Sequence, residues 1–301
     1  NFEMSIAVIG SINMDYNSRV EKLPQRGETV LSHFFQMKGG GKGANQAIAA
    51  SRLGADVHMV GAVGKDSAGE FLLRCLKDEG IDTSGIYQVA KPTGNALITI
   101  DDEGDNTIVA YSGANSCVDV EKINAHGHQL EKCKLFIIQL EIPLETVCYA
   151  ISFAHDRDIP VILNPAPAAE LPMEIYPLIY TITPNETEVR TLTGIEDIEK
   201  GARKLLDFGV KEVIVTLGDK GSFYTNGAES FYVDAFAADV VDTTAAGDSF
   251  NGAFAVARLE GQPTREALRF SNAVGSLTAT KFGAYDSLPY RSEVDEFLFG
   301  N

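Results

Sequence analysis

The chain has 301 residues, 45% of them hydrophobic and 22% charged, enough to bury the core of one large α/β domain. A formal net charge of −17 argues against nucleic acid and against an anionic membrane surface, which both call for clustered Lys and Arg. Any anionic ligand must then be held locally, by backbone N–H groups, a few cations and bound metal.

In chain order, residues 6–9 are the first apolar run, too short for a secretory leader or a membrane span. The run enters Gly10-Ser11-Ile12-Asn13-Met14-Asp15. Strand carboxyl ends line the ligand crevice of an open α/β sheet. Asn13 and Asp15, alternating outward, would turn an amide and a carboxylate toward sugar hydroxyls, although Asx turns ending a strand explain them equally well. Residues 16–37, with a turn at Pro24-Gln25-Arg26-Gly27, are polar, β-branched and aromatic. Residues 95–100 and 106–111 flank the hairpin turn Asp101-Asp102-Glu103-Gly104-Asp105. The expectation is antiparallel strands in a small side sheet, about residues 14–38 and 92–112, covering a site; plain surface hairpins are the alternative.

Gly39-Gly40-Gly41-Lys42-Gly43-Ala44-Asn45-Gln46 is a glycine-rich loop entering a helix. It lacks the Ser or Thr after Lys of a P-loop and the acidic partner of a dinucleotide fingerprint. Gly41 and Gly43 permit close backbone approach, and Lys42 and Asn45 offer donors to a polyhydroxylated ligand; a tight turn with a solvent lysine is the simpler reading. Further β-rich runs at 57–63, 135–140, 161–163, 181–183 and 213–217 alternate with helical patterns at 43–53, 68–79, 120–132, 144–157, 186–192 and 198–208. Helices follow at 248–259, 264–280 and 291–299. This alternation predicts a doubly wound, mostly parallel sheet with helices on both faces, in one domain over residues 1–301.

Three strand ends carry polar groups. Glu141 closes Gln139-Leu140-Glu141. Asn185 and Glu188, in Thr183-Pro184-Asn185-Glu186-Thr187-Glu188, suit a capping box, Mg²⁺ held through water, or both. The turn Thr216-Leu217-Gly218-Asp219-Lys220-Gly221 suits nucleotide phosphates or a plain β-turn. Lastly, Asp242-Thr243-Thr244-Ala245-Ala246-Gly247-Asp248-Ser249-Phe250 brings small residues to a helix start, where unpaired N–H groups and the helix dipole attract an anion. Asp248 there is either a first-turn acid favoured by the dipole or a base for an attacking hydroxyl. Cys75, Cys117, Cys133 and Cys148 have no metal or C-x-x-C spacing, so buried free thiols in a reducing cytoplasm are expected. The histidines offer only His126-x-His128, in a polar stretch.

Together these residues resemble the ribokinase family, the phosphofructokinase-B-type carbohydrate kinases. The motifs are Gly-Ser-Ile-Asn-x-Asp at 10–15, Gly-Gly-Lys-Gly-Ala-Asn-Gln at 40–46, Gln-Leu-Glu at 139–141, Asn-Pro-Ala-Pro-Ala at 164–168, Ile-Thr-Pro-Asn-Glu-Thr-Glu at 182–188 and the stretch 242–254. The resemblance spans nearly the whole chain. It implies a ribokinase-like fold, a β-sheet lid that also forms a homodimer contact, and ATP-dependent phosphorylation of a pentose at its terminal hydroxyl. Ribose is the first expectation; 2-deoxyribose, another sugar or a nucleoside are the alternatives. By position, the resemblance makes Asp248 the base and the backbone of Ala245, Ala246 and Gly247 the anion hole. Asn13, Asp15, Gly41, Lys42, Gly43, Asn45 and Glu141 become sugar contacts. Asn185, Thr216, Gly218, Asp219, Gly221, Gly247 and Asn272 become the ATP site, with Glu188 near Mg²⁺. Asp242, Thr244, Thr278, Lys281, Gly283 and Ser287 become a K⁺ loop, several through carbonyls. Gly39 departs from the pattern, with no consequence the sequence predicts. Outside this class stand a non-catalytic sensor on the same fold, which would lack Asp248, and a dinucleotide-dependent oxidoreductase, whose fingerprint is missing after the first strand.

Overall fold

The computed structural model describes residues 2–300. Its strands are Ser5–Ile9 (β1), Asn13–Arg19 (β2), Phe34–Gly40 (β3), Asp56–Gly64 (β4), Asp82–Val89 (β5), Gly94–Ile100 (β6), Asn106–Tyr111 (β7), Leu135–Ile138 (β8), Val161–Leu163 (β9), Thr181–Ile182 (β10), Glu212–Thr216 (β11), Ser222–Thr225 (β12) and Ser230–Val233 (β13). The α-helices are Lys42–Arg52 (α1), Ser67–Asp78 (α2), Val120–Ala125 (α3), Gly127–Leu130 (α4), Leu144–His155 (α5), Glu186–Thr193 (α6), Ile198–Phe208 (α7), Ala246–Leu259 (α8), Thr264–Thr278 (α9) and Arg291–Phe299 (α10).

Nine strands form one sheet, in the order β13-β12-β11-β10-β9-β8-β1-β4-β5. The pairs from β11 to β5 are parallel, and β12 and β13 extend the sheet antiparallel. Along β1, Ile6 and Val8 enter one core layer and Ala7 and Ile9 the other, as a strand buried on both faces requires. From β1 the chain builds outward through β4 and β5, then returns to β8 and builds the other way. The switch point therefore lies between β1 and β8, where a crevice opens beyond the strand carboxyl ends.

The side sheet has the order β3-β2-β6-β7. Its outer pairs are antiparallel as expected, but β2 and β6 pair in parallel, Asn13 opposite Gly94 through Arg19 opposite Ile100. Both strands leave the same edge of the main sheet in the same direction. Three strands of the main sheet escaped the sequence reading: β5, β12 and β13. The expected helix over 120–132 is two pieces that meet at His126. Of the four free cysteines only Cys133 is fully buried; the other three are partly so. Among the described residues, no helix is long and apolar enough to cross a membrane.

One helix contact positions the chemistry. Helix α8 is buried from Asp248 to Ala257 and packs on α1. A Cβ on Gly252 would lie 2.8 Å from Ala49 Cβ, so glycine is what lets the two helices close. One turn earlier on each helix stand Asp248 and Asn45.

Candidate active site

Asp248, 7% exposed, accepts hydrogen bonds on both carboxylate oxygens: from Asn45 Nδ2 at 2.9 Å on Oδ2 and from Gln46 Nε2 at 3.0 Å on Oδ1. The helix start beside it has no side-chain cap, and Ala245 at the N-cap has a φ of 65°. That left-handed conformation costs an alanine about 1–2 kcal/mol, and such strain gathers at functional sites. Ser249 N–H closes the first turn on Ala245 O at 2.8 Å, and Ala246 N–H folds back to Thr243 O at 3.2 Å. Of the expected anion-hole donors, Ala246 is therefore already engaged. Helix geometry leaves Gly247 and Asp248 N–H at the open end. Gly247 borders a large cavity, and a Cβ there would meet nothing within 4 Å.

On the other side of Asp248, the glycine loop is tied to the strand ends. Glu141 Oε1 accepts from Ser11 Oγ at 2.6 Å and from Lys42 N–H at 2.8 Å. Ser11 Oγ accepts in turn from Gly43 N–H at 3.2 Å. Glu141 thus anchors the loop backbone as well as facing the site. Asn13 Oδ1 accepts from Asn115 Nδ2 at 2.7 Å, and Asn115 Oδ1 accepts from Ile12 N–H at 2.9 Å. A cavity of about 370 Å³ under the lid is lined by Asn13, Asn95, Tyr111, Asn115 and Glu141. Burial, with Glu141 adding to it, pushes the Asp15 carboxyl up to about 6. Burial works against the charge on Lys42, but the carboxylates of Asp248, Glu141 and Glu188 outweigh it and raise the lysine above its usual range. That ammonium consequently feels both sides of the site. Asn45 Oδ1 is buried with no partner, an acceptor free for a ligand hydroxyl.

A cavity of about 1190 Å³ is lined by every residue named for the nucleotide: Asn185, Thr216, Gly218, Asp219, Gly221, Gly247 and Asn272. Asn185 and Glu188 form the full capping box, with Glu188 N–H on Asn185 Oδ1 at 2.8 Å and Asn185 N–H on Glu188 Oε1 at 3.0 Å. Burial raises the Glu188 carboxyl and Asp248 adds to it, while the Asn185 N–H and Lys42 oppose them. A cation close to both carboxylates would relieve this. Among the described residues no three His, Cys, Asp or Glu converge on a metal position. A hard divalent ion would therefore have to complete its shell with water and phosphate oxygens, as Mg²⁺ does.

A model of the pfkB family of carbohydrate kinases matches residues 4–291. The chain belongs to the pfkB carbohydrate kinase family. It is similar to a ribokinase of Haemophilus influenzae, 41% identical over 300 residues and 98% of each chain. It is also similar to a deoxyribokinase of Salmonella typhi, 36% identical over 98% of this chain and 99% of that one. Among solved structures, a Thermotoga maritima ribokinase superposes with a TM-score of 0.92 at 38% identity, covering 98% of this chain and 99% of that one. An Arabidopsis thaliana ribokinase complexed with ribose and ATP gives 0.91 at 34%, covering 98% of each.

In this pfkB kinase the two halves of the expected cation loop are joined by Asp242, which accepts from Thr244 N–H at 2.9 Å and Gly283 N–H at 3.1 Å. Arg52, at the end of α1, fixes the far side by donating to the carbonyls of Tyr285 at 2.9 Å and Leu288 at 2.6 Å. Ser287 Oγ donates to Ala284 O. Two side chains point elsewhere. The Thr278 hydroxyl lies 2.7 Å from Ser249 Oγ and 2.8 Å from Val274 O, inside the α8–α9 contact, and Lys281 pairs with Glu293 at 2.9 Å. Only their backbones remain for the loop. Asn272 likewise donates to Val233 O at 3.0 Å and Asp234 O at 3.2 Å, so it holds the cavity wall. Gly39 has a packing reason that the sequence did not predict: the Tyr285 ring lies 2.2 Å from where its Cβ would be, and Tyr285 OH donates to Gly40 O at 3.0 Å.

Sequence reasoning missed Ser11, Gln46, Asn115, Gln139, Asn164 and Asn251, all buried. The available signal was an uncharged polar residue inside an apolar run, as in Phe-Ile-Ile-Gln-Leu at 136–140, because a buried amide needs partners.

Proposed function

We propose that this pfkB kinase transfers the γ-phosphoryl group of ATP to the terminal hydroxyl of a pentose, with D-ribose as preferred acceptor. The observation that carries the reading is Asp248: its carboxylate is held by the sugar-loop residue Asn45, and its neighbour Gly247 borders the nucleotide-sized cavity. The sugar lies under the lid against Asn13, Asp15, the 41–43 backbone, Asn45 and Glu141. Asp248 takes the hydroxyl proton as that oxygen bonds to the γ-phosphorus, and the bond to the β-phosphate oxygen breaks, leaving ADP with its electron pair. The Gly247 and Asp248 N–H groups receive the developing charge on the phosphoryl oxygens, and Lys42 adds a positive field. Positioning and electrostatics supply most of the acceleration in such transfers. Glu188 would hold Mg²⁺ through water, and the ion would supply charge neutralisation on the ATP phosphates.

K⁺ at the loop around Asp242 is the proposed activator: one carboxylate among carbonyls suits a weakly charged ion. We take the chain as one kinase domain with a discontinuous lid, and a homodimer through that lid. One row across the sheet runs Met37, Tyr16, Leu97 and Val109, and all but the half-buried Tyr16 are exposed. A reducing cytoplasm suits the free cysteines. Phosphorylation of 2-deoxyribose is the second reading, favoured by the similarity to the Salmonella typhi protein. A coupled ADP assay on ribose, 2-deoxyribose, fructose and adenosine, with and without K⁺, tests the acceptor and the activator. Ribose should show the highest kcat/KM and K⁺ should raise turnover. A higher kcat/KM on deoxyribose would select the second reading, and no turnover on any sugar would sink both.

A further inference from the structure

The carboxylate of Asp248 is held from beneath by uncharged side chains. Gln46 Nε2 lies 3.0 Å from Asp248 Oδ1 and 3.1 Å from Asn164 Oδ1, while Gln46 Oε1 accepts from Gln139 Nε2 at 2.7 Å. Asn164 Nδ2 donates onward to the Thr183 carbonyl at 3.3 Å. These residues come from α1 and from the ends of β8, β9 and β10, and all are buried.

Chemistry fixes each orientation. The Thr183 carbonyl only accepts, so Asn164 presents its NH₂ there and its oxygen to Gln46. An ionised Asp248 only accepts, so Gln46 gives it the NH₂ and turns its own oxygen to Gln139. Gln139 answers with its NH₂, which leaves Gln139 Oε1 buried with no partner. A buried unpaired amide oxygen is destabilising, and it sits at the end of the chain farthest from the carboxylate.

From this geometry we infer that Gln46 is a positioning residue for Asp248, fixing the plane of its carboxylate, and that Gln139 acts through Gln46. The inference rests on Asp248 being the base proposed above. Gln46 is 0% exposed, so it reaches the reaction only through Asp248. Asn45 alone would leave the carboxylate free to rotate about the oxygen it holds.

Kinetics of Gln46→Met, Gln139→Met and the double variant test this, paired with crystal structures of the wild type and Gln46→Met. In Gln46→Met, kcat should fall about 10- to 100-fold, the scale of a small misplacement of a reacting group. KM for sugar and for ATP should stay within about 3-fold, because neither substrate touches Gln46. Gln139→Met should lower kcat less, and the double variant should fall no further than Gln46→Met alone. The crystal structure should show the Asp248 carboxylate rotated. Unchanged kcat in Gln46→Met, losses that multiply in the double variant, or an unrotated carboxylate would each overturn the inference. If Gln46→Met does not fold, Gln139→Met decides by whether kcat falls at constant KM. An inactive wild type would break the functional reading instead, and the crystal comparison would still decide on Gln46.

Discussion

On the sugar side of Asp248, a Cβ on Gly43 would lie 2.5 Å from Ser11 N and 2.6 Å from Gly10 C; on the nucleotide side, a Cβ on Gly247 would meet nothing within 4 Å. The first glycine is there because two backbones are pressed together. The second leaves room for a ligand. The same contrast runs through the neighbours. Glu141, Ser11, Asn115 and Asn13 cross-link the sugar side with short hydrogen bonds, whereas the nucleotide cavity is walled by turns and small residues such as Gly218, Gly275 and Ala279. On the proposed assignment, the first half is preformed for a small polyol and the second is an open trough for a long, charged ligand.

Substitutions can break this contrast. The largest effect is expected at the junction itself: Asp248→Asn should cut kcat by at least about 10²-fold, the lower range for losing a general base, while calorimetry still detects sugar and ADP binding. Near-normal turnover would remove Asp248 from its role. Next come the two glycines, with opposite signatures. Gly43→Ala should destabilise the fold by about 1–3 kcal/mol through overpacking, seen as a lower Tm. Gly247→Ala should keep or raise Tm, since alanine favours a helix over glycine by up to about 1 kcal/mol, yet lower kcat/KM for ATP. If both variants lose stability equally, the contrast fails.

A smaller effect concerns pH. The Asp15 carboxyl is raised from 3.8 to about 6 in the folded chain, so between those values the fold keeps a proton that the unfolded chain has released. Stability at this position therefore falls as pH rises through that window. Sugar hydroxyls donating to Asp15 favour its ionised form. Sugar binding should accordingly release protons near pH 6 and weaken below it. Calorimetry in buffers of different ionisation enthalpy measures this, and identical enthalpies would contradict it. The smallest effect is at Tyr285→Phe, which deletes the hydrogen bond to Gly40 O and should cost about 1 kcal/mol in urea denaturation with little change in turnover.

What the sequence could show followed the strength of local signal. The runs that became β1, β4, β8, β9, β10 and β11 are β-branched and buried, and periodicity alone finds them. Strand β5, Asp-Thr-Ser-Gly-Ile-Tyr-Gln-Val, is a half-exposed edge with too few apolar residues. Strands β12 and β13 are four residues each. The parallel β2–β6 pair joins segments about eighty residues apart, which no local pattern encodes. Among site residues, charges and glycines at strand ends stood out because water-exposed loops seldom need them so placed. The amides beneath Asp248 did not, because their partners lie far off in sequence: Gln46 and Asp248 are 202 residues apart, Gln46 and Asn164 118. The Thr278 hydroxyl turns into the α8–α9 contact and leaves only its backbone for the cation loop, an orientation that the helix face decides and chain position does not.

The proposed reaction is transfer from ATP to the primary hydroxyl of a pentose, with Asp248 as base. Proton-coupled phosphorus NMR of wild-type protein with ATP, Mg²⁺ and ribose tests it directly. A new ester signal split into a triplet by a CH₂ group, appearing with ADP and absent over the same time with Asp248→Asn, is the predicted result. A doublet from phosphate on a CH carbon, or inorganic phosphate alone, would contradict it.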